Sequence, residues 1–229
     1  ECGGDGSCTE VVFFDDFSGD LSAWTDMYGD DWSIQNEELH GFYSLSSGGV
    51  GDHQADLVLN DEFQLEDNWR ASIDFIRVVD DQFSFRYDAW ANFSLWLDSN
   101  NKIAISIGGG NNDWDGIQDS IRFSVSVWNG SWANHINETI LFNWDPNEWH
   151  IGSIERHGNV YSLFMDNIYI SEYGDIFLHG EGKIGLHTYG TKRYDNFSIV
   201  QLSGNTIEGE LVAYYPFNGN GDDASGNGN

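Results

Sequence analysis

The chain is predicted to be all-β, an antiparallel sandwich or barrel, on three observations. Hydrophobic and polar residues alternate with a period of two almost throughout. No window of eleven or more residues carries the apolar stripe of an amphipathic helix. Between the alternating runs, at 8–12-residue spacing, lie turn signals such as Ser-Gly, Gly-Asp, Asn-Asn, Asp-Asn and His-Gly-Asn.

Taken in order, the runs are "VVFFDDF" (11–17), "ELHGFYSL" (38–45), "WRASIDFIRV" (69–78), "NFSLWLD" (92–98), "KIAISIG" (102–108) and "IRFSVSVW" (121–128). They continue with "ETILFNW" (138–144), "EWHIGSIER" (148–156), "NVYSLFMD" (159–166), "KIGLHTYG" (183–190) and "YDNFSIV" (194–200). In 92–98 the core row is Phe93, Leu95 and Leu97, which leaves Ser94 and Trp96 on the other face. In 102–107 Ile103, Ile105 and Ile107 face inward, opposite Lys102, Ala104 and Ser106. In 121–128 Ile121, Phe123, Val125 and Val127 oppose Arg122, Ser124, Ser126 and Trp128. In 83–88 Ser84, Arg86 and Asp88 oppose Phe83, Phe85 and Tyr87. In 194–200 the same alternation puts Asp195 on the packed side with Phe197 and Ile199. With two prolines in the chain, edge strands are protected by charge and loops.

Forty per cent hydrophobic residues and ten tryptophans supply a sizeable core. A net charge of −29, from 38 acidic and 9 basic side chains, excludes nucleic acid and anionic membrane surfaces as partners. No apolar run approaches the roughly 20 residues that cross a bilayer as a helix. Residues 1–9 read as a Gly-rich linker or anchor segment, 10–203 as one domain, and 204–229 as a change of character. Cys2 and Cys8 fit a local disulfide in an oxidising compartment. The stretch "CGGDGS" also resembles the tether after the lipid-bearing cysteine of a bacterial lipoprotein, although Glu1 is the wrong residue for that cleavage site. Both readings place the protein outside the cell or on its surface.

Four stretches in order, "FFDDFSGDLSAW", "DWSIQNEELHG", "EWHIGSIERHGNVYSLFMDN" and "RYDNFSIV", resemble the concanavalin A-like lectin/glucanase jelly roll. The version meant is that of laminin-G-like and carbohydrate-binding modules of secreted bacterial proteins. The resemblance implies a two-sheet jelly-roll sandwich, and the tail "LVAYYPFNGNGDDASGNGN" is similar to the opening of a following laminin-G-like module. It implies a structural Ca²⁺ held by Asp16, the Gly41 carbonyl and Asp195, with Asp15 able to replace Asp16. A calcium ion answers the cost of an unpaired carboxylate at a packed margin, because it supplies charge and takes six to eight oxygens. The plainer account of Asp195 is a turn cap or a pair with Arg193 or Lys192.

The jelly roll implies a concave sheet face on which a polysaccharide or other glycan binds. Trp96 and Trp128 suit stacking on pyranose rings, and Arg86 and Arg122 suit hydrogen bonds to hydroxyls. The basic side chains there hint at an anionic polysaccharide. The bland alternative puts both indoles in a second apolar layer. Trp114 in "GGGNNDWDGIQD" adds a rim platform, or else Asp113, Asp115 and Asp119 form a second cation site or a plain solvated loop. Trp132 and His135 lie in a similar stretch.

The catalytic members of the superfamily present Glu-x-Asp-x-x-Glu on one strand, and the motif is absent here. The opening is also similar to a family that cleaves 3-keto-glycosides, but Glu37 and Glu38 replace its Asp-Gly turn. The expected function is therefore a non-catalytic carbohydrate-binding module. The alternatives are an adhesin or surface-filament subunit that self-assembles or joins neighbouring modules, and a glycoside-cleaving enzyme.

Overall fold

A computed structural model describes residues 9–27, 32–41, 55–64, 68–76, 89–109, 118–129, 132–174, 180–188 and 192–202. Cys2, Cys8, Arg86, Trp114 and the segment 204–229 lie outside the described residues.

Two eight-stranded antiparallel sheets face each other. Sheet 1 runs β14 (Ile168–Tyr173), β13 (Val160–Met165), β12 (His150–His157), β7 (Trp69–Ile76), β16 (Lys192–Leu202), β4 (Glu38–Gly41), β3 (Trp32–Gln35). In it β1 (Thr9–Asp15) also pairs with β16. Sheet 2 runs β11 (Trp132–Trp144), β10 (Gln118–Trp128), β9 (Asn101–Gly109), β8 (Ala89–Asp98), β15 (Glu181–Thr188), β5 (Ala55–Leu59), β2 (Trp24–Asp26). In it β6 (Phe63–Gln64) is attached to β15. Among the described residues there is no helix.

Alternation makes the core. Ala71, Ile73 and Phe75 on β7, Ile154 on β12 and Leu163 and Met165 on β13 turn inward from sheet 1. Phe93 and Leu95 on β8, Ile103, Ile105 and Ile107 on β9, and Phe123 and Val125 on β10 meet them from sheet 2. Burying such side chains contributes about 1.5–3 kcal/mol each relative to exposure. The sheets approach closely where Gly152 meets Ala91, since a Cβ on Gly152 would collide with the Ala91 methyl.

All eleven runs read from the sequence contain a strand, although some run ends fall outside it: Asp16 and Phe17 follow β1, and Glu148 and Trp149 precede β12. The short or irregular strands β2, β3, β5, β6 and β14 were not among those runs. Two face assignments differ from expectation. Leu97 is 38% exposed rather than in the core row, because the β8–β9 register slips between Trp96 and Asp98 at the hairpin. Asp195 is not on the packed side. A bulge between Asp195 and Ser198, with Asn196 at φ 50°, inserts an extra residue into the alternation. Tyr194 and Phe197 both stay in the core while Asp195 turns outward opposite Asp74 on β7.

Gly152→Val should therefore destabilise by about 1–3 kcal/mol, the usual penalty of overpacking. Urea denaturation measures it; a change below about 0.5 kcal/mol would contradict the close approach of the two sheets there.

Candidate functional site

The face of sheet 2 turned away from the core carries a set of aligned rungs. Residues directly opposite in antiparallel strands share a face. One rung reads Lys183–Trp96–Lys102–Trp128 across β15, β8, β9 and β10. The next reads Gly185–Ser94–Ala104–Ser126, and a third Asn92–Ser106–Ser124. Arg122 lies one rung further, opposite Gly108, and is exposed. The alternations in 92–98, 102–107 and 121–128 thus place Ser94, Trp96, Lys102, Ser106, Arg122 and Trp128 on the face expected of them.

The centre of this face is a buried ion network that sequence reading missed. Asp56 on β5 is fully buried and accepts three hydrogen bonds. Ser94 Oγ donates to Oδ1 at 2.9 Å and Lys102 Nζ donates to Oδ2 at 2.7 Å. His187 Nδ1 lies 2.8 Å from Oδ1. Burial alone would push the Asp56 carboxyl up; His187, then Lys102, outweigh it and hold the group down to about 2. The carboxylate is then an acceptor only, so His187 carries its proton on Nδ1.

Gly185 permits the arrangement. A Cβ there would collide with the Leu57 carbonyl, so only glycine lets β5 and β15 pack this closely. It also leaves a rung position without a side chain between Val58 and Ser94, over which Asp56 reaches toward β8 and β9. The one signal in the sequence was an isolated Asp in the apolar run "ADLVL" together with the Gly and His of "GLH".

Lys102 Nζ also lies 4.5 Å from the Trp96 ring centroid and 5.7 Å from that of Trp128. Trp96 is buried at 6% exposure, outside the main core cluster, and its indole N–H has no hydrogen-bond partner. Trp128 is half-buried and donates Nε1 to the Ser99 carbonyl at 3.1 Å. Of the expected ligand set, the structure brings Trp96, Trp128 and Arg122 to one face.

Asp16, Gly41 and Asp195 all lie on sheet 1 or beside it. Asp16 accepts from the Ser18 N–H at 3.1 Å and from its hydroxyl at 2.7 Å. Asp195 is raised by burial first, then by the charges of Glu38, Asp16 and Glu37. Gly41 sits opposite Lys192, three residues along β16 from Asp195, with the Trp32 ring packed on it. Asp15 is engaged elsewhere, accepting from Phe17 N–H at 2.8 Å and Trp24 Nε1 at 2.7 Å. Arg193 forks onto Glu38 rather than onto Asp195. Asp74, facing Asp195, is likewise raised, chiefly by burial and then by Asp195 and Asp166, against a hydrogen bond from Asn196. No group of three or more His, Cys, Asp or Glu among the described residues is arranged to hold a metal ion.

No protein-family model and no curated protein matches this chain. Solved structures do. A CBM66 carbohydrate-binding module from Bacillus subtilis aligns over 77% of this chain and 94% of its own, at 14% identity and a TM-score of 0.52. Porphyranase B from Zobellia galactanivorans aligns over 88% and 96%, at 11% identity and 0.59. The Bacillus licheniformis β-glucanase aligns over 83% and 96%, at 11% identity and 0.54. The fold is that of the concanavalin A-like jelly roll, and at such identities the likeness is one of fold.

The Asp56 network yields a test. Its folded pKa lies below 3.8, so its stabilising contribution is complete above that value and is lost as the pH falls toward about 2. Asp56→Asn should cost about 3–5 kcal/mol at pH 7, because it leaves Lys102 buried without its counter-charge. The gap from wild type should narrow in acid, read by urea titrations at both pH values; a pH-independent gap would contradict the assignment.

Proposed function

We propose that this is an extracellular or cell-surface module that binds polysaccharide, without cleaving it, on the outer face of sheet 2. Carbohydrate-active proteins of both kinds, binding modules and hydrolases, share the fold. The observation that carries the reading is the buried Trp96 indole N–H without an acceptor, beside hydroxyl-bearing rungs and the half-buried Trp128. A buried donor of this kind calls for a partner, and in this reading a ligand hydroxyl or a water that it brings supplies one. Trp128 offers the stacking surface and Arg122 the rim hydrogen bonds, while Trp96 and Lys102 form the floor. Trp114 and Arg86 belong to the same proposal as further contacts.

Binding rather than hydrolysis is favoured by the sequence, which lacks the Glu-x-Asp-x-x-Glu strand of the catalytic members. A glycan array probed with wild type, Trp128→Ala and Arg122→Ala tests the reading. Loss of about tenfold in affinity in either variant, with no reducing sugar released, is expected. Unchanged binding in both variants, or release of reducing sugar, would overturn it.

Calcium belongs to the proposal as a structural ion between Asp16 and Asp195. The raised Asp195 carboxyl is what a cation would relieve. In chelator, Asp195→Asn should raise Tm at pH 7, because it removes a carboxylate that neighbouring acids repel. With calcium added, wild type should gain Tm and the variant should not. A wild-type Tm indifferent to calcium would remove the ion from the account.

A further inference from the structure

The outer face of sheet 1 holds a second arrangement, on the opposite side of the sandwich. Trp149, just before β12, is 40% exposed. The Arg193 guanidinium lies 5.6 Å from its ring centroid. Arg193 in turn makes a fork with Glu38, Nε to Oε2 at 2.7 Å and Nη2 to Oε1 at 2.8 Å. That fork fixes the guanidinium plane and leaves the Nη1 hydrogens outside it. Ile76 faces Arg193 across β7 and β16, and Ile151, 37% exposed, extends the apolar floor beside Trp149.

We propose that Trp149, Arg193 and Glu38 form a second saccharide platform, which takes uncharged sugars. An accessible indole beside a fixed donor–acceptor pair matches a pyranose, whose C–H face stacks while its hydroxyls both donate and accept. The patch spans β12 to β4, three strand spacings or about 14 Å, the length of a short oligosaccharide. Charge decides the class of sugar. Glu38 neutralises Arg193, and Asp195 and Asp74 border the patch. Three carboxylates thus surround one guanidinium, and the local field repels anions. A uronate or sulfated chain is therefore excluded here, whereas on sheet 2 the exposed Arg122 lies on the outer face. This platform does not depend on the sheet 2 site, and either can fail alone.

Affinity electrophoresis of the full chain in neutral mixed-linkage β-glucan and, separately, in alginate tests the proposal. Wild type should be retarded by the glucan, Trp149→Ala should lose about tenfold in affinity for it, and Trp128→Ala should keep a residual glucan affinity that Trp149→Ala removes. Arg193→Lys, which keeps the charge but not the fork, should weaken the glucan several-fold. Alginate retardation should be the same in Trp149→Ala as in wild type. Matching melting curves establish that Trp149→Ala is folded; if it is not, Trp149→Phe, which keeps a ring, should retain most of the glucan affinity. Glucan binding unchanged in Trp149→Ala, absent in wild type, or lost only in Trp128→Ala would overturn the platform. Alginate binding that depends on Trp149 would overturn its neutral specificity.

Discussion

One carboxylate organises sheet 2. Asp56 sits on β5, yet its bonds reach β8 through Ser94, β9 through Lys102 and β15 through His187. Backbone ladders fix neighbouring strands; Asp56 adds a tie across several of them at a place where none of its partners is open to solvent. An unpaired charge there would be expensive, and an unpaired Lys102 equally so, which makes the network all-or-none. It ties Ser94, and through Lys102 the Trp96 ring, into one buried unit.

Charge divides the two outer faces. Against 38 acids the chain has nine cationic side chains of Lys and Arg, and the described ones are mostly committed to structure. Lys102 serves Asp56, Lys183 donates to the Leu59 and Asn60 carbonyls, Arg193 forks onto Glu38, and Arg70 pairs with Glu155 while covering the Phe164 ring. On sheet 1 the acids outnumber what these cations can answer, and Asp74 and Asp195 face each other across a single rung. That acidic surplus is what favours a neutral ligand in the proposal for sheet 1.

Much of the fold was legible because alternation is a local signal. In "IRFSVSVW" and "KIAISIG" every inward residue follows from the period of two, and so do the outward Trp128 and Lys102. Asp195 escaped the rule because the bulge at Asn196 depends on how β16 meets β7, not on composition nearby. Asp56 escaped it because its partners lie 38 to 131 residues away. Trp149 gave no sign either: "EWHIGSIER" reads as a plain strand, and exposure is a property of the assembled sheet. The acids of the opening strand gave the reverse lesson. Asp15 and Asp16 look equivalent in "FFDDF", but Trp24 and Phe17 claim the first, while Ser18 alone bonds the second.

A double-mutant cycle on Asp56 and Lys102, followed by urea denaturation at neutral pH, tests the central tie most directly. Asp56→Leu and Lys102→Met should each destabilise strongly, and the double variant should recover a good part of the loss, with a coupling energy above about 1.5 kcal/mol. Losses that simply add would mean the two groups stabilise the sheet independently, and that this carboxylate is not what holds it together.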